Sequence, residues 1–115
     1  MSRIYHIAVR SDWAHARQNG EYTISTRGRT LAEQGFIHCS SAGQVAKVAN
    51  FVYPGVPDLV LLEIDPDLVR ARVKYDDVPG EPAPYPHIYG PLNTDAVIGV
   101  QPFAPGPDGL FRFDG

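Results

Sequence analysis

Apolar and polar positions alternate from Arg3 to Val9, with β-branched or aromatic side chains at many of them, and this period of two predicts a first strand. Alternation would set Tyr5, Ile7 and Val9 on one face and Ile4, His6 and Ala8 on the other. The pattern then changes. Ser11-Asp12 offers an N-cap and an acidic first turn for a short helix carrying Trp13, which Gly20 stops. Residues 21–35 are weakly patterned, rich in Thr, Ser, Arg and Gly, and read as an exposed loop around a brief strand or turn. A helical turn is expected at Leu31–Gln34 before Gly35. Phe36 to Cys39 reads as a strand, and Ser41 with Gln44 forms the capping box of the clearest helix, whose Val45, Val48, Ala49 and Val52 follow an i, i+3, i+4, i+7 stripe.

Asp58 to Asp65 is the strongest strand, apolar enough at Leu59, Val60, Leu61, Leu62 and Ile64 to be buried on both faces, so it is expected at the centre of a sheet. Further strands are expected at Ala71 to Tyr75, His87 to Tyr89 and Val97 to Phe103. A loop with four prolines runs from Val78 to Pro86, a turn follows at Pro91 to Asp95, and another at Gly106 to Gly109 precedes a loosely specified tail. With no repeat or internal boundary, the pattern describes one domain that mixes strands and helices.

At 115 residues such a domain buries enough surface to stand without staples, and the single Cys39 excludes an intrachain disulfide. No apolar run approaches the ~20 residues of a membrane span. Nothing at the N-terminus reads as a signal peptide, so a cytoplasmic protein without membrane contact is expected. The net charge of −3 argues against nonspecific nucleic-acid binding. Charge is uneven, however: residues 1–30 carry a net +3 and the remainder −6. The arginines of that first segment, Arg27 and Arg29 among them, are candidates to hold a phosphate or diphosphate, or are scattered surface charges.

Imidazoles dominate the candidate chemistry. Tyr5-His6-Ile7, Ile37-His38-Cys39 and Pro86-His87-Ile88-Tyr89 place three histidines in similar apolar or aromatic strands, whereas His15 lies in a helical pattern among polar neighbours. Histidine suits proton transfer, anion contact and metal ligation near neutral pH. The alternative is a set of buried, hydrogen-bonded core histidines. His38 and Cys39 point to opposite faces of a strand, which weakens a Cys/His nucleophile. No HExxH, CxxC or phosphate-loop motif occurs, so no metal is expected. Ser40 and Ser41 follow His38 at a helix start; Ser41 is suited to cap, leaving Ser40 free to bond a ligand. His87 is rigidly presented between Pro86 and Gly90-Pro91, with Tyr89 on the same face.

The segments Ile4-Tyr5-His6-Ile7, Gly35-Phe36-Ile37-His38-Cys39-Ser40, Leu59 to Asp65 and Pro86-His87-Ile88-Tyr89-Gly90-Pro91-Leu92, taken in order, resemble the bacterial domain of unknown function 952. The likeness covers residues 3–105 and implies an α+β fold with an ADP-ribosyltransferase-like split β-sheet, a few short helices and a cleft, and no settled activity. A more distant likeness is to NAD-dependent RNA 2′-phosphotransferases. It implies that His6 contacts the ribose of NAD or ADP-ribose and that Ser40 is the serine of the second motif. The chain departs from those enzymes at Ile7-Ala8, where they have Gly-Thr, and at Gln34-Gly35-Phe36, where they have an arginine. It also shows no glutamate in an obvious late catalytic loop. The expected site is therefore His6, His38 and His87 as catalytic candidates, with Tyr5, Ser40, Tyr89, Arg27 and Arg29 as ligand contacts and NAD as a substrate. The alternatives are a non-catalytic binding or interaction module and a histidine-based metal hydrolase.

Overall fold

A computed structural model describes residues 2–114. In chain order the strands and helices are β1 (Ile4–Val9), α1 (Arg10–Asn19), β2 (Glu21–Tyr22), β3 (Ile24–Thr26), β4 (Arg29–Thr30), α2 (Leu31–Gln34), β5 (Ile37–His38), a 3-10 turn (Ala42–Gln44) leading into α3 (Val45–Val52), β6 (Leu59–Ile64), β7 (Arg72–Asp76), β8 (Tyr85–Tyr89), β9 (Leu92–Asn93) and β10 (Val97–Phe103). The class is α+β, as the resemblance implied.

The apolar run at β6 is indeed central. It pairs antiparallel with β1 on one side and β10 on the other, and both faces of this sheet are covered. One face carries Ile4, Ala8, Val60, Leu62 and Ile64 into a core shared with Trp13 of α1 and with Ile37 and Ile88 of a second sheet. Tyr5, Ile7, Leu59 and Leu61 on the other face pack on Val45 and Ala49 of α3 and on Phe111 near the C-terminus. The second sheet has the order β5-β8-β7, all antiparallel. A two-way backbone bridge between Tyr5 and Ser40, each N–H···O 2.8 Å, joins β1 to the end of β5. The remaining short strands form the ribbons β2-β9 and β3-β4.

Several local expectations need correction. Helix α1 begins at Arg10 directly out of β1, with Val9 at the N-cap and no side-chain cap, so Ser11 and Asp12 lie inside its first turn. Gly20 stops it as expected, in the left-handed conformation at φ 82° that glycine adopts without strain. The helical turn at Leu31–Gln34 carries a capping box of its own, Thr30 with Glu33. At Ser41 the expected reciprocal arrangement precedes a 3-10 turn, and Gln44 Oε1 accepts from the Ser41 N–H at 3.0 Å. The four-proline loop ends earlier than expected: Tyr85 and Pro86 already belong to β8, and the Pro86 carbonyl accepts from Cys39 N–H at 3.0 Å. The tail is not loose. Asn50 clamps the Phe111 backbone through two hydrogen bonds, and Phe111 is sealed beneath α3.

Candidate functional site

Strand β8 alternates between two environments. Ile88 points into the core, while Tyr85, His87 and Tyr89 share the opposite face. Antiparallel register sets His38 of β5 directly across from His87, and Lys74 of β7 across from His87 on the other side. Residues directly opposite point the same way, so β5 and β7 add His38 and Asp76 to the aromatic face of β8. Phe36, just before β5, stacks on the His87 ring at 4.1 Å between centroids and 15° between planes.

These side chains form one hydrogen-bonded line. Asp76 Oδ2 lies 2.8 Å from His87 Nδ1 and also accepts from the Tyr89 hydroxyl. Across the strand pair, His87 Nε2 lies 3.2 Å from His38 Nδ1. A carboxylate only accepts, so His87 must donate from Nδ1. When His87 is neutral its Nε2 is then a bare acceptor, His38 must donate from Nδ1, and the lone pair of His38 moves to Nε2. Hydrogen bonds from Tyr89 and His87 hold the Asp76 carboxyl below its usual range. Burial, with the charges of His87 and His6 adding to it, pushes His38 down to about 4, so this ring is neutral at physiological pH.

Beside this line opens a cavity of about 560 Å³. His38, His87, Phe36 and Tyr85 contribute to its wall, as do Val48, Phe51 and Val52 of α3 and Val78 and Pro79 of the proline-rich loop. Among the described residues nothing bonds Nε2 of His38, and that nitrogen is not fully buried. Among the described residues, the one buried side-chain polar atom without a partner is Ser25 Oγ, and Ser25 also lines the cavity. At the rim, Lys47 Nζ donates to Glu81 Oε1 at 2.9 Å and the Tyr85 hydroxyl donates to the same oxygen at 2.6 Å. These bonds hold the Glu81 carboxyl below its ordinary value. Gln44 Nε2 donates to Pro84 O at 3.0 Å, tying the same loop to the start of α3.

The other expected site residues do not line this cavity, although Tyr5, His6 and Ser40 meet His38 around a second, far smaller one of about 10 Å³. His6 is 3% exposed and both its ring nitrogens are taken: Nδ1 lies 2.6 Å from the His38 carbonyl, so it donates there, and Nε2 accepts from the Tyr22 hydroxyl at 2.8 Å. Burial lowers it to about 4. It touches the backbone of His38 and does not line the 560 Å³ cavity. Ser40 is buried and its backbone forms the bridge to Tyr5; Tyr5 packs edge-on against Phe113 at 5.1 Å. Tyr89 stands outside the cavity, bonded to Asp76. Arg27 donates to the Val52 carbonyl at 2.9 Å and lies over the Tyr53 ring at 5.6 Å, and Arg29 is exposed on β4; neither lines the cavity. Cys39 faces the core, where burial pushes its thiol far up. No three His, Cys, Asp or Glu side chains among the described residues are grouped to hold a metal ion.

The family model described as "Protein of unknown function (DUF952)" matches residues 7–100. The chain belongs to the DUF952 family. Among solved structures it is similar to the crystal structure of protein CC0527 from Caulobacter crescentus, with 28% identity and a TM-score of 0.84 over 96% of this chain and 94% of that one. The solution NMR structure of CC0527 is similar at 29% identity, with a TM-score of 0.79 over 96% of this chain and 91% of that one. A search of curated proteins gives no match.

Within this DUF952 chain, sequence reasoning passed over Asp76, Phe36, Tyr85, Lys47 and Glu81. Asp76 carried a usable signal. A histidine held rigidly in a strand needs an acceptor for its Nδ1–H, and a carboxylate ending the neighbouring expected strand was at hand. Lys47 and Glu81 meet across 34 positions of the chain, and no local pattern announces that contact.

Proposed function

We propose that the cavity is a small-molecule site in which Nε2 of His38 accepts a proton or hydrogen bond from the ligand, backed by His87 and Asp76. The observation that carries this reading is the line Asp76–His87–His38, which ends in a nitrogen with no partner among the described residues, on a ring that lines a 560 Å³ cavity. Cavities of about 300–1,000 Å³ with apolar walls and a few convergent polar groups are the usual form of such sites. Transfer of a proton from a ligand hydroxyl to His38 would leave an imidazolium, and the Nδ1–H could pass along to His87, whose cation Asp76 stabilises. This is the pattern of a general base oriented by a partner and a carboxylate.

NAD and ADP-ribose are the specific ligands proposed, and the support is the family likeness together with the size and aromatic walls of the cavity. In this arrangement the base or ribose enters and the diphosphate stays outside the rim, because Lys47 is paired with Glu81 and Arg27 is bonded elsewhere. His38 and His87 then carry the chemistry, and His6 acts behind them by fixing the His38 backbone. The test is an NMR titration of the imidazole nitrogens with NAD and with ADP-ribose. The His38 and His87 signals should move together while His6 stays still, and His38→Gln should weaken the response. Absence of any shift or heat at millimolar concentration of both ligands would remove the proposal.

A further inference from the structure

On the reading that the cavity binds a ligand, three features of its lining restrict the chemistry of that ligand. The first is charge. Lys47 and Glu81 are the formal charges in the lining and neutralise one another at 2.9 Å, while His38 is neutral. An entering anion would have to displace the Glu81 carboxylate from Lys47 before gaining a cation of its own. The second is shape. Phe36 lies flat on His87, Tyr85 tilts over His38 at 5.3 Å, and Phe51 is 85% exposed. Flat rings gain offset or edge contacts with such groups that saturated rings of the same size do not. The third is hydrogen-bond polarity. With His87 neutral, Asp76 sets the tautomers so that the open nitrogen of His38 is an acceptor, and an acceptor facing it would leave both unpaired.

We infer that the ligand portion entering this cavity is an uncharged, flat, unsaturated ring bearing an O–H or N–H donor, which it gives to Nε2 of His38. Ser25, buried beside the cavity with an unpartnered hydroxyl, adds no charge to that environment. A free anionic group belongs outside the rim.

A set of four simple probes isolates each feature: phenol, anisole, cyclohexanol and phenyl phosphate, titrated at low and high salt by calorimetry with the His38 ring nitrogens followed by NMR. Phenol should bind tightest, with no salt dependence. Anisole lacks the donor and should bind about fivefold more weakly, the equivalent of one hydrogen bond. Cyclohexanol keeps the donor without the flat ring and should also bind more weakly. Replacing Phe36 by Leu should weaken phenol and leave cyclohexanol unchanged, with the melting curve checking that the fold is intact. If phenyl phosphate binds tightest and weakens with salt, the cavity takes anions through Lys47; the inference falls and the binding site stands. If anisole equals phenol, the acceptor role of His38 is wrong. If none of the probes moves His38 while NAD or ADP-ribose does, the inference alone fails. Silence from all six removes both the inference and the site.

Discussion

In the β1-β6-β10 sheet both faces are covered, one by α1 and the second sheet and the other by α3 and the C-terminal segment. In the β5-β8-β7 sheet one face packs into the core through Ile37 and Ile88, and the other is covered incompletely, so that His38, His87 and Tyr85 line a cavity beneath α3 and the proline-rich loop. Both sheets carry histidine between apolar neighbours on a strand. His6 fell on a covered face, where an unpaired polar group would be costly, and found two protein partners. His38 fell on the open face and kept one nitrogen free. The flanking residues of a histidine thus report that it lies in a sheet; the covering of the sheet decides whether it is scaffold or site.

Acid should expose this difference most strongly. His6 and His38 both stand near 4 in the folded protein against an ordinary value of 6.5. The unfolded chain therefore takes up protons between pH 6.5 and about 4 that the folded chain refuses. Stability contributed by the two neutral rings is complete above 6.5 and falls as pH drops, by ~1.4 kcal/mol per unit for each ring. The depressed carboxyls Asp76, Glu81 and Asp108 add their loss lower, beneath their ordinary values of 3.8 to 4.5. Urea melts at pH 7.5, 6.5, 5.5 and 4.5 should show the decline in wild type. His6→Leu should roughly halve its slope. A flat profile down to pH 4.5 would mean that neither ring is held neutral by burial.

At neutral pH the sharpest contrast is between two alanine replacements. His6→Ala strands the His38 carbonyl and the Tyr22 hydroxyl and leaves a hole between the sheets, an expected loss of about 2–4 kcal/mol. For a chain of this length that is a fall in Tm on the order of 10 °C or more. His38→Ala strands one group, His87 Nε2, beside a cavity that water can fill, so its loss should stay at about 1 kcal/mol and below that of His6→Ala while ligand response disappears. Equal destabilisation by the two would show that the second sheet is as much scaffold as the first.

The fold was largely legible because it rests on local period: β6, α3 and the alternation of β1 are one-dimensional patterns that packing did not override. The Tyr5–Ser40 bridge and the clamp of Asn50 on Phe111 were not legible, since each joins segments far apart in the chain. For the site, His38 and His87 announced themselves by residue type and rigid flanks. His6 announced itself equally well, and nothing in Tyr5-His6-Ile7 says that Tyr22 waits for it. The excess of arginine in residues 1–30 likewise has no single destination. Arg3 pairs with Asp65, Arg10 with Asp58, and Arg27 with a carbonyl of α3.

Asp76→Asn probes how far the line of hydrogen bonds governs the open face. An amide in place of the carboxylate can donate to His87 Nδ1, which would move the His87 proton to Nε2 and turn His38 around to accept on Nδ1 and carry its proton on Nε2. The open nitrogen would become a donor. Asp76 is at the edge of the sheet, so stability should change by less than about 1 kcal/mol. Nitrogen NMR should show the tautomers of both rings exchanged, and probes that donate should lose affinity relative to probes that accept. Unchanged tautomers would detach Asp76 from the chemistry of His38.

Ser25→Ala should have the smallest effect, and its sign is the informative part. Ser25 is fully buried on β3, next to the cavity, and its hydroxyl meets no partner. A buried polar group left unpaired is destabilising by roughly 1–3 kcal/mol, and removing it relieves that penalty while giving up only one small group's contacts. Alanine also fits the space without strain, since it is serine less an oxygen. The expected result is therefore a neutral change or a gain of up to about 1 kcal/mol, in contrast to the loss at His6, whose every polar atom is paired. A loss of stability would show that the hydroxyl does have a partner in solution, and Ser25 would then join His6 as part of the scaffold behind the open sheet.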